Sequence, residues 1–195
     1  MRSKAEYKSA IRSRRMIRDA LVALMQEKDI NKITVTDIVT RADINRGTFY
    51  AHYQDIRAVL EQIENEIIEK MLELLGEFHY KSFFANPLPL LTKVARYLEK
   101  DLEFYRLLIN SNGSEQFLTK LKGIFVSRLE NDPEIPHEIK KSAEYKMHAY
   151  FFAGGIVNLY QAWFHNEVKQ SLNEVSMIIS NLIIDSSAIF LGESK

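Results

Sequence analysis

Residues 33–53, ITVTDIVTRADINRGTFYAHY, leave few options other than two short helices joined by a tight turn. Thr34 is a good N-cap, because its hydroxyl takes an orphan backbone N–H of the first turn, and Asp37 three residues on completes a capping-box pattern. Val35, Ile38, Val39 and Ala42 then recur at helical spacing. The periodicity breaks at Asp43-Ile44-Asn45. Asp tolerates the left-handed conformation of a sharp turn, and Asn45 is a preferred N-cap for a second helix. That second helix, Arg46 to about Tyr53, is barely two turns long. At about 100° per residue, Phe49 and Tyr53 share one face as core aromatics, while Gly47, Thr48, Ala51 and His52 share the other. Arg46 and Tyr50 lie at the border. The outward face is small, polar and free of acids, which suits a helix whose N-terminus enters the major groove of DNA.

A formal net charge of zero conceals an asymmetry: residues 1–57 carry twelve Lys/Arg against seven Asp/Glu, and residues 58–195 carry fourteen against nineteen. A basic head on an acidic body favours one end meeting a polyanion. The apolar share of 46% and charged share of 27% are those of a globular chain. The absence of cysteine excludes a disulfide framework and a thiolate zinc site. No apolar run reaches the roughly 18 residues of a membrane span, and no signal peptide is visible, so a cytoplasmic location is the expectation.

An all-α fold of about nine helices follows from the remaining pattern. A first helix, about Ser9 to Lys28, carries Ile17, Ala20, Leu21, Leu24 and Met25 on one face, and Lys4, Lys8, Arg12, Arg14, Arg15 and Arg18 crowd its start, either as a solvated, partly frayed terminus or as an arm that contacts phosphates or reaches into the minor groove. A fourth helix is expected from Asp55 to about His79, with a stripe of Val59, Ile63, Ile67, Met71, Leu74, Leu75 and Phe78, linking a head (1–57) to a body (58–195) without a flexible linker. After Asn86-Pro87-Leu88-Pro89 the body reads as helices over 88–101, 103–110, Ser114 to about Leu129, about His137 to Phe164, and Asn173 to about Leu191, with Asn173 as the last N-cap. The final helix is apolar around most of its circumference, through Val175, Ile178, Ile179, Leu182, Ile183, Ile184, Ala188 and Ile189. A helix apolar all round must be covered on all sides. A two-fold dimer would do this, with Phe152, Ile156, Tyr160, Trp163, Ile179, Leu182 and Ile183 at the interface. Gly154-Gly155 permits close backbone approach there, or marks a local kink.

Residues 12–60 resemble the DNA-binding region of the tetracycline-repressor (TetR) family of bacterial regulators. The matching elements are Ile33-Thr34-Val35, Asp37-Ile38-Val39, Ala42 and above all Asn45-Arg46-Gly47-Thr48-Phe49-Tyr50-Ala51-His52-Tyr53. Two positions depart from the family pattern: Asp43 stands where Gly is usual, and Ile56 where a phosphate-binding Lys is usual, leaving Arg57 as the nearest candidate for that contact. The segment AYFFAGGIVNLYQAWF resembles, less specifically, the ligand-and-dimer domain of such regulators. The resemblance implies a homodimer that reads palindromic double-stranded DNA, more often as a repressor released by a small-molecule effector.

The candidate DNA-contacting set is Thr34, Thr36, Asn45, Arg46, Gly47, Thr48, Tyr50, Ala51, His52 and Arg57. Arg is the commonest reader of guanine, Gly47 allows close approach, and Ala51 can meet a thymine methyl. Thr36 aligns with a base-contacting position of the family, and Thr48, Tyr50 and His52 with phosphate-holding ones. Aromatics at Tyr97, Phe104, Tyr105, Phe117, Phe125 and Phe151, with Asn158 as a polar anchor, are candidates for an effector pocket. His79, His137, His148 and His165 offer no i, i+4 pair, so spacing alone shows no metal constellation, and no catalytic motif or cofactor is expected. The competing reading is a helical DNA-associated adaptor whose main partner is another protein. An enzyme built on the body lacks any motif.

Overall fold

The structure, a computed structural model, describes the backbone over residues 4–76, 79–111 and 114–187, and side chains from 8 to 186 within those ranges. All regular structure among these residues is helical. The chain divides into two compact units, residues up to Ile67 and residues from Ile68 onward.

In the first unit, α1 (Lys4–Glu27) is followed by a 3₁₀ turn at Ile30–Lys32, then α2 (Val35–Arg41), α3 (Arg46–Tyr50) and the start of α4 (Ile56–Leu74). Ile17, Leu21, Ile38, Phe49 and Ile63 are its largest fully buried side chains. Helix α4 begins where expected, with Asp55 Oδ1 accepting from Ala58 N at 2.8 Å. It stops at Leu74, short of His79. The last turn tightens there, Gly76 N donating to Glu73 O at 3.1 Å, and a Cβ at position 76 would stand 3.0 Å from that same carbonyl. Phe78, expected on the stripe of this helix, lies outside the described residues.

The second unit contains α5 (Tyr80–Ala85), α6 (Leu88–Leu98), a 3₁₀ turn at Glu99–Asp101, α7 (Leu102–Ile109), α8 (Ser114–Glu130), α9 (His137–Lys141), α10 (Ala143–Phe164) and α11 (Leu172–Ser187). Helix α10 is its axis, packed against α7, α8, α9 and α11, while α11 also covers α5 and α6. Helix α5 has no counterpart among the helices expected from periodicity. Its core contribution is two aromatics: Phe84 meets Phe152 with ring centroids 4.6 Å apart, and Phe83 meets Phe125 at 5.4 Å.

Two boundaries differ for one physical reason, the ability of serine to compete for backbone partners. The helix expected from His137 to Phe164 is broken at Ser142, which is extended (ψ 143°). Its hydroxyl donates to Ile139 O at 2.8 Å, closing α9, and accepts from Tyr145 N at 3.1 Å, opening α10. The last helix is capped by Ser171, not Asn173. Ser171 Oγ accepts from Glu174 N at 3.3 Å, while Glu174 Oε2 accepts from Ser171 N at 2.7 Å, a reciprocal capping box. The Ser171 hydroxyl, which lies 2.7 Å from Glu174 Oε2 and donates to it, and the Ser171 N–H hold the Glu174 carboxyl below its usual pKa.

Helix α11 is not covered on all sides. Val175, Ile179 and Ile183 are buried in the subunit's own core, whereas Met177, Ile178, Leu182 and Ile184 are exposed. Ala188, Ile189 and the expected end near Leu191 lie outside the described residues.

Candidate nucleic-acid interface

The helix–turn–helix forms as its capping residues dictate. Thr34 and Asp37 exchange both capping-box bonds, Asp37 Oδ2 accepting from Thr34 N at 2.7 Å and Thr34 Oγ1 accepting from Asp37 N at 3.2 Å. Helix α2 ends in a Schellman pattern: Ile44 N donates to Val39 O at 3.0 Å and Asp43 N to Thr40 O at 3.3 Å. That pattern requires a left-handed residue after the C-cap, and Asp43 supplies it with φ 50°. Asn45 then caps α3, its Oδ1 accepting from Thr48 N at 2.7 Å.

Asp37 also anchors α2 to α1, because Lys28 Nζ lies 2.7 Å from its Oδ2. The Lys28 ammonium and the Thr34 donors lower its carboxyl pKa to about 2 from 3.8. A depressed carboxyl contributes stability that is fully present above its unfolded value and is lost as pH falls through the folded one. The Asp37 contribution is therefore intact above pH 3.8 and disappears on the way down to about pH 2. Thermal melts against pH are expected to show Asp37→Asn less stable than the parent near neutrality and the two converging across that acid window; parallel curves would remove this role from Asp37.

Arg46, Thr36, Gly47, Tyr50 and Ala51 are all exposed, on one outward surface of α2 and α3. Arg46 is held in place there: its Nη2 donates to Thr36 Oγ1 at 2.5 Å. The two residues assigned to base contact thus form one unit across the two helices. Phe49 is fully buried and Tyr53 nearly so, which anchors α3 from within. Tyr50 leans edge-on against Phe49, with centroids 5.5 Å apart.

Three further candidates are also engaged. The Thr48 hydroxyl donates to Asn45 Oδ1 at 3.0 Å, so it serves the cap as well as any phosphate. The His52 ring, through Nε2, lies 2.7 Å from Ser13 Oγ and ties the end of the recognition segment to α1. Arg57 Nε pairs with Glu61 at 3.4 Å, and its Nη2 stands 4.0 Å from the buried Glu64. Its guanidinium therefore faces the acids of its own helix.

Gly47 has an internal reason as well as an external one. A Cβ there would stand 3.2 Å from Asn45 Oδ1, crowding the oxygen that caps α3. Helical spacing alone suggests only the external reason, close approach to DNA.

Among the basic residues of α1, Arg18 pairs with Glu66 at 3.2 Å and Arg15 with Asp19 at 3.7 Å. Lys28 and Arg41 are likewise neutralised, the latter by Glu27 at 2.7 Å. Lys8, Arg12 and Arg14 enter no ion pair among the described residues and are available cations of α1. The Lys4 side chain lies outside the described residues.

In the second unit the aromatics assigned to a pocket part company. Phe104, Tyr105, Phe117 and Phe125 are buried in the core and Tyr97 is half-buried against Tyr105. Phe151 is 66% exposed and Asn158 is exposed, so these two face outward rather than into an interior. A cleft of about 380 Å³ is lined by other residues: Leu74, His79, Ser82, Phe83, Asn86, Pro89, Leu90 and Lys93. The residues assigned to a dimer face also separate. Phe152, Tyr160, Ile179 and Ile183 are buried within the subunit, Ile156 and Trp163 are half-buried, and Leu182 is exposed. Helical periodicity located the apolar side chains of α10 and α11 but could not say which half of each helix the subunit itself would cover.

No helix among the described residues is long and apolar enough to cross a membrane. Residues 17–63 match the family model described as "Bacterial regulatory proteins, tetR family", and residues 85–185 match that of a "Transcriptional regulator C-terminal region". The chain is 34% identical over 67 residues to the HTH-type transcriptional regulator YxbF of Bacillus subtilis (strain 168), covering 34% of this chain and 17% of that protein. It is 31% identical over 120 residues to the HTH-type dhaKLM operon transcriptional activator DhaS of Lactococcus lactis subsp. lactis (strain IL1403), covering 60% of each. It therefore spans less than two thirds of either relative. Among solved structures, the dihydroxyacetone kinase operon activator DhaS aligns over 91% of this chain and 97% of its own, with TM-score 0.60 and 22% identity. A TetR transcriptional regulator from Streptococcus agalactiae 2603V aligns over 92% and 97%, with TM-score 0.60 and 19% identity. With its helix–turn–helix and its body both matched, the chain belongs to the TetR family of bacterial transcriptional regulators.

Proposed function

We propose that this regulator binds a palindromic operator as a homodimer and acts as a repressor released by a small-molecule effector. The observation that carries the DNA-binding part is the exposed, acid-free surface of α3, with Arg46 pre-set by Thr36. Arg46 is the base reader, Gly47 and Ala51 allow close approach, and Thr34, Thr36, Asn45, Thr48, Tyr50 and His52 complete the contact surface. Arg12 and Arg14 add phosphate contacts. Arg57, turned to Glu61 and Glu64, contributes only if that pairing opens.

The dimer face consists of the side chains that α10 and α11 leave exposed: Met147, Tyr150, Phe151 and Leu159 on one helix, Met177, Ile178, Leu182 and Ile184 on the other. An uncovered apolar surface of this kind is typical of a self-associating face. A Cβ at Gly154 or Gly155 would meet nothing within 4 Å, so this stretch of α10 is open for close approach. The cleft beside α5 supports the effector reading, since its volume is within the range of small-molecule sites and it mixes apolar walls with Lys93, Ser82 and Asn86.

Selection of bound duplexes from a random pool tests the core of this reading. It is expected to return two inverted half-sites about one helical turn apart, roughly 34–36 Å. Recovery of single half-sites or of no consensus would defeat it. The similarity to an operon activator supports a second reading of the sign alone. Deleting the gene and measuring the adjacent transcript separates the two: the level rises for a repressor and falls for an activator.

A further inference from the structure

Folding assembles a group of ligand-type side chains that spacing along the chain does not reveal. His79, just before α5, and Asp132 and Glu134, in the connection between α8 and α9, bring one ligand atom each to within 4.8 Å of one another. Asp132 is only 3% exposed. Its carboxylate is fixed by two backbone donors, Tyr80 N at 2.6 Å and Glu134 N at 2.8 Å. Lys140 Nζ bonds the Asp132 carbonyl at 2.7 Å, not its carboxylate. Among the described residues no cationic side chain forms an ion pair with that buried carboxylate, and neither the His79 ring nor the Glu134 carboxylate has a hydrogen-bond partner.

We propose that His79, Asp132 and Glu134 bind a divalent first-row transition-metal ion, with Zn²⁺ as the reference case, and that the ion clamps the start of α5 to the α8–α9 connection. A neutral imidazole with two carboxylates is a mixed N/O donor set suited to such ions, and its charge balances a dication. Zn–N and Zn–O bonds of about 2.0–2.2 Å require the donors to close by on the order of 1 Å. His79 and Glu134 are exposed and move to do so, while Asp132 is the fixed ligand, oriented by its backbone donors. Three protein ligands leave the remaining positions to water. The exposed pair provides the entry path, and His79 also lines the cleft beside α5.

The test uses the full chain without a polyhistidine tag, freed of metal, titrated calorimetrically with Zn²⁺ and followed by visible absorption with Co²⁺. The expected result is one ion per subunit. His79→Asn and Glu134→Gln are each expected to weaken binding at least tenfold, and to lose the rise in melting temperature that Zn²⁺ gives the parent. Both variants change exposed side chains, so their helical signal should match the parent's and a loss of binding is not a loss of fold. Asp132→Asn is avoided because that carboxylate also organises the backbone. No saturable binding, or binding unaltered in both variants, overturns the assignment. Operator binding by the metal-free protein is measured alongside and is expected to persist, so failure of the metal site leaves the DNA-binding reading standing.

Discussion

Arg46→Ala is expected to lower affinity for the selected operator about ten- to a hundredfold for each half-site and to flatten the preference at the base pair it reads. A bidentate Arg–guanine contact discriminates by about 1–3 kcal/mol, and each 1.4 kcal/mol is about tenfold. In a dimer the loss occurs at both half-sites. The measurement is a set of competition gel shifts against operators substituted one position at a time. A uniform loss across all of them would make Arg46 a phosphate contact, because such contacts carry no sequence information. Unchanged preference with unchanged affinity would remove it from the interface. Affinity for nonspecific DNA should change far less, since Arg12, Arg14 and the rest of the basic face are untouched.

The double substitution Ile178→Glu with Leu182→Glu is expected to convert the protein to a monomer. Ile178 and Leu182 are 46% and 49% exposed, one turn apart on the outer side of α11, and a two-fold axis brings each substitution into the interface twice. Four carboxylates would then be buried without partners, at a cost of several kcal/mol. Sedimentation at micromolar concentration should show a dimer dissociation constant raised at least a hundredfold, with operator binding lost in parallel because each half-site alone is weak. The helical signal should persist, since Val175, Ile179 and Ile183, which hold α11 to its own subunit, are unchanged. A dimer of parental strength would mean the partner sits elsewhere.

The reading head was legible because its information is local. Thr34, Asp37 and Asn45 are recognisable at a helix end by the backbone group they satisfy, and Asp43 by the left-handed turn it tolerates, and the structure uses all four in these ways. The body was less so. Helix α5 comes after an interruption near Gly76 that the apolar stripe ran straight through, and Ser142 resembles any other polar residue until its hydroxyl is seen serving two helices. Phe151 and Phe152 are adjacent and equally apolar, yet one is exposed and the other buried. Only tertiary packing decides between them, and Phe84 of α5 meets Phe152 there. The grouping of His79 with Asp132 and Glu134 needs a contact across more than fifty residues, beyond the reach of any spacing rule.

The hydrogen bond between Arg46 and Thr36 bears on how such a regulator could acquire a new operator. On the proposed assignment of Arg46 and Thr36 to base contact, readout at that base pair belongs to two positions on separate helices, so a change at 46 alone releases the Thr36 hydroxyl to water, and a change at 36 alone leaves the guanidinium without its tether. Drift toward a different target is therefore expected to pass through paired replacements. Within a lineage, residues 36 and 46 should carry correlated identities, one two-letter word rather than two letters.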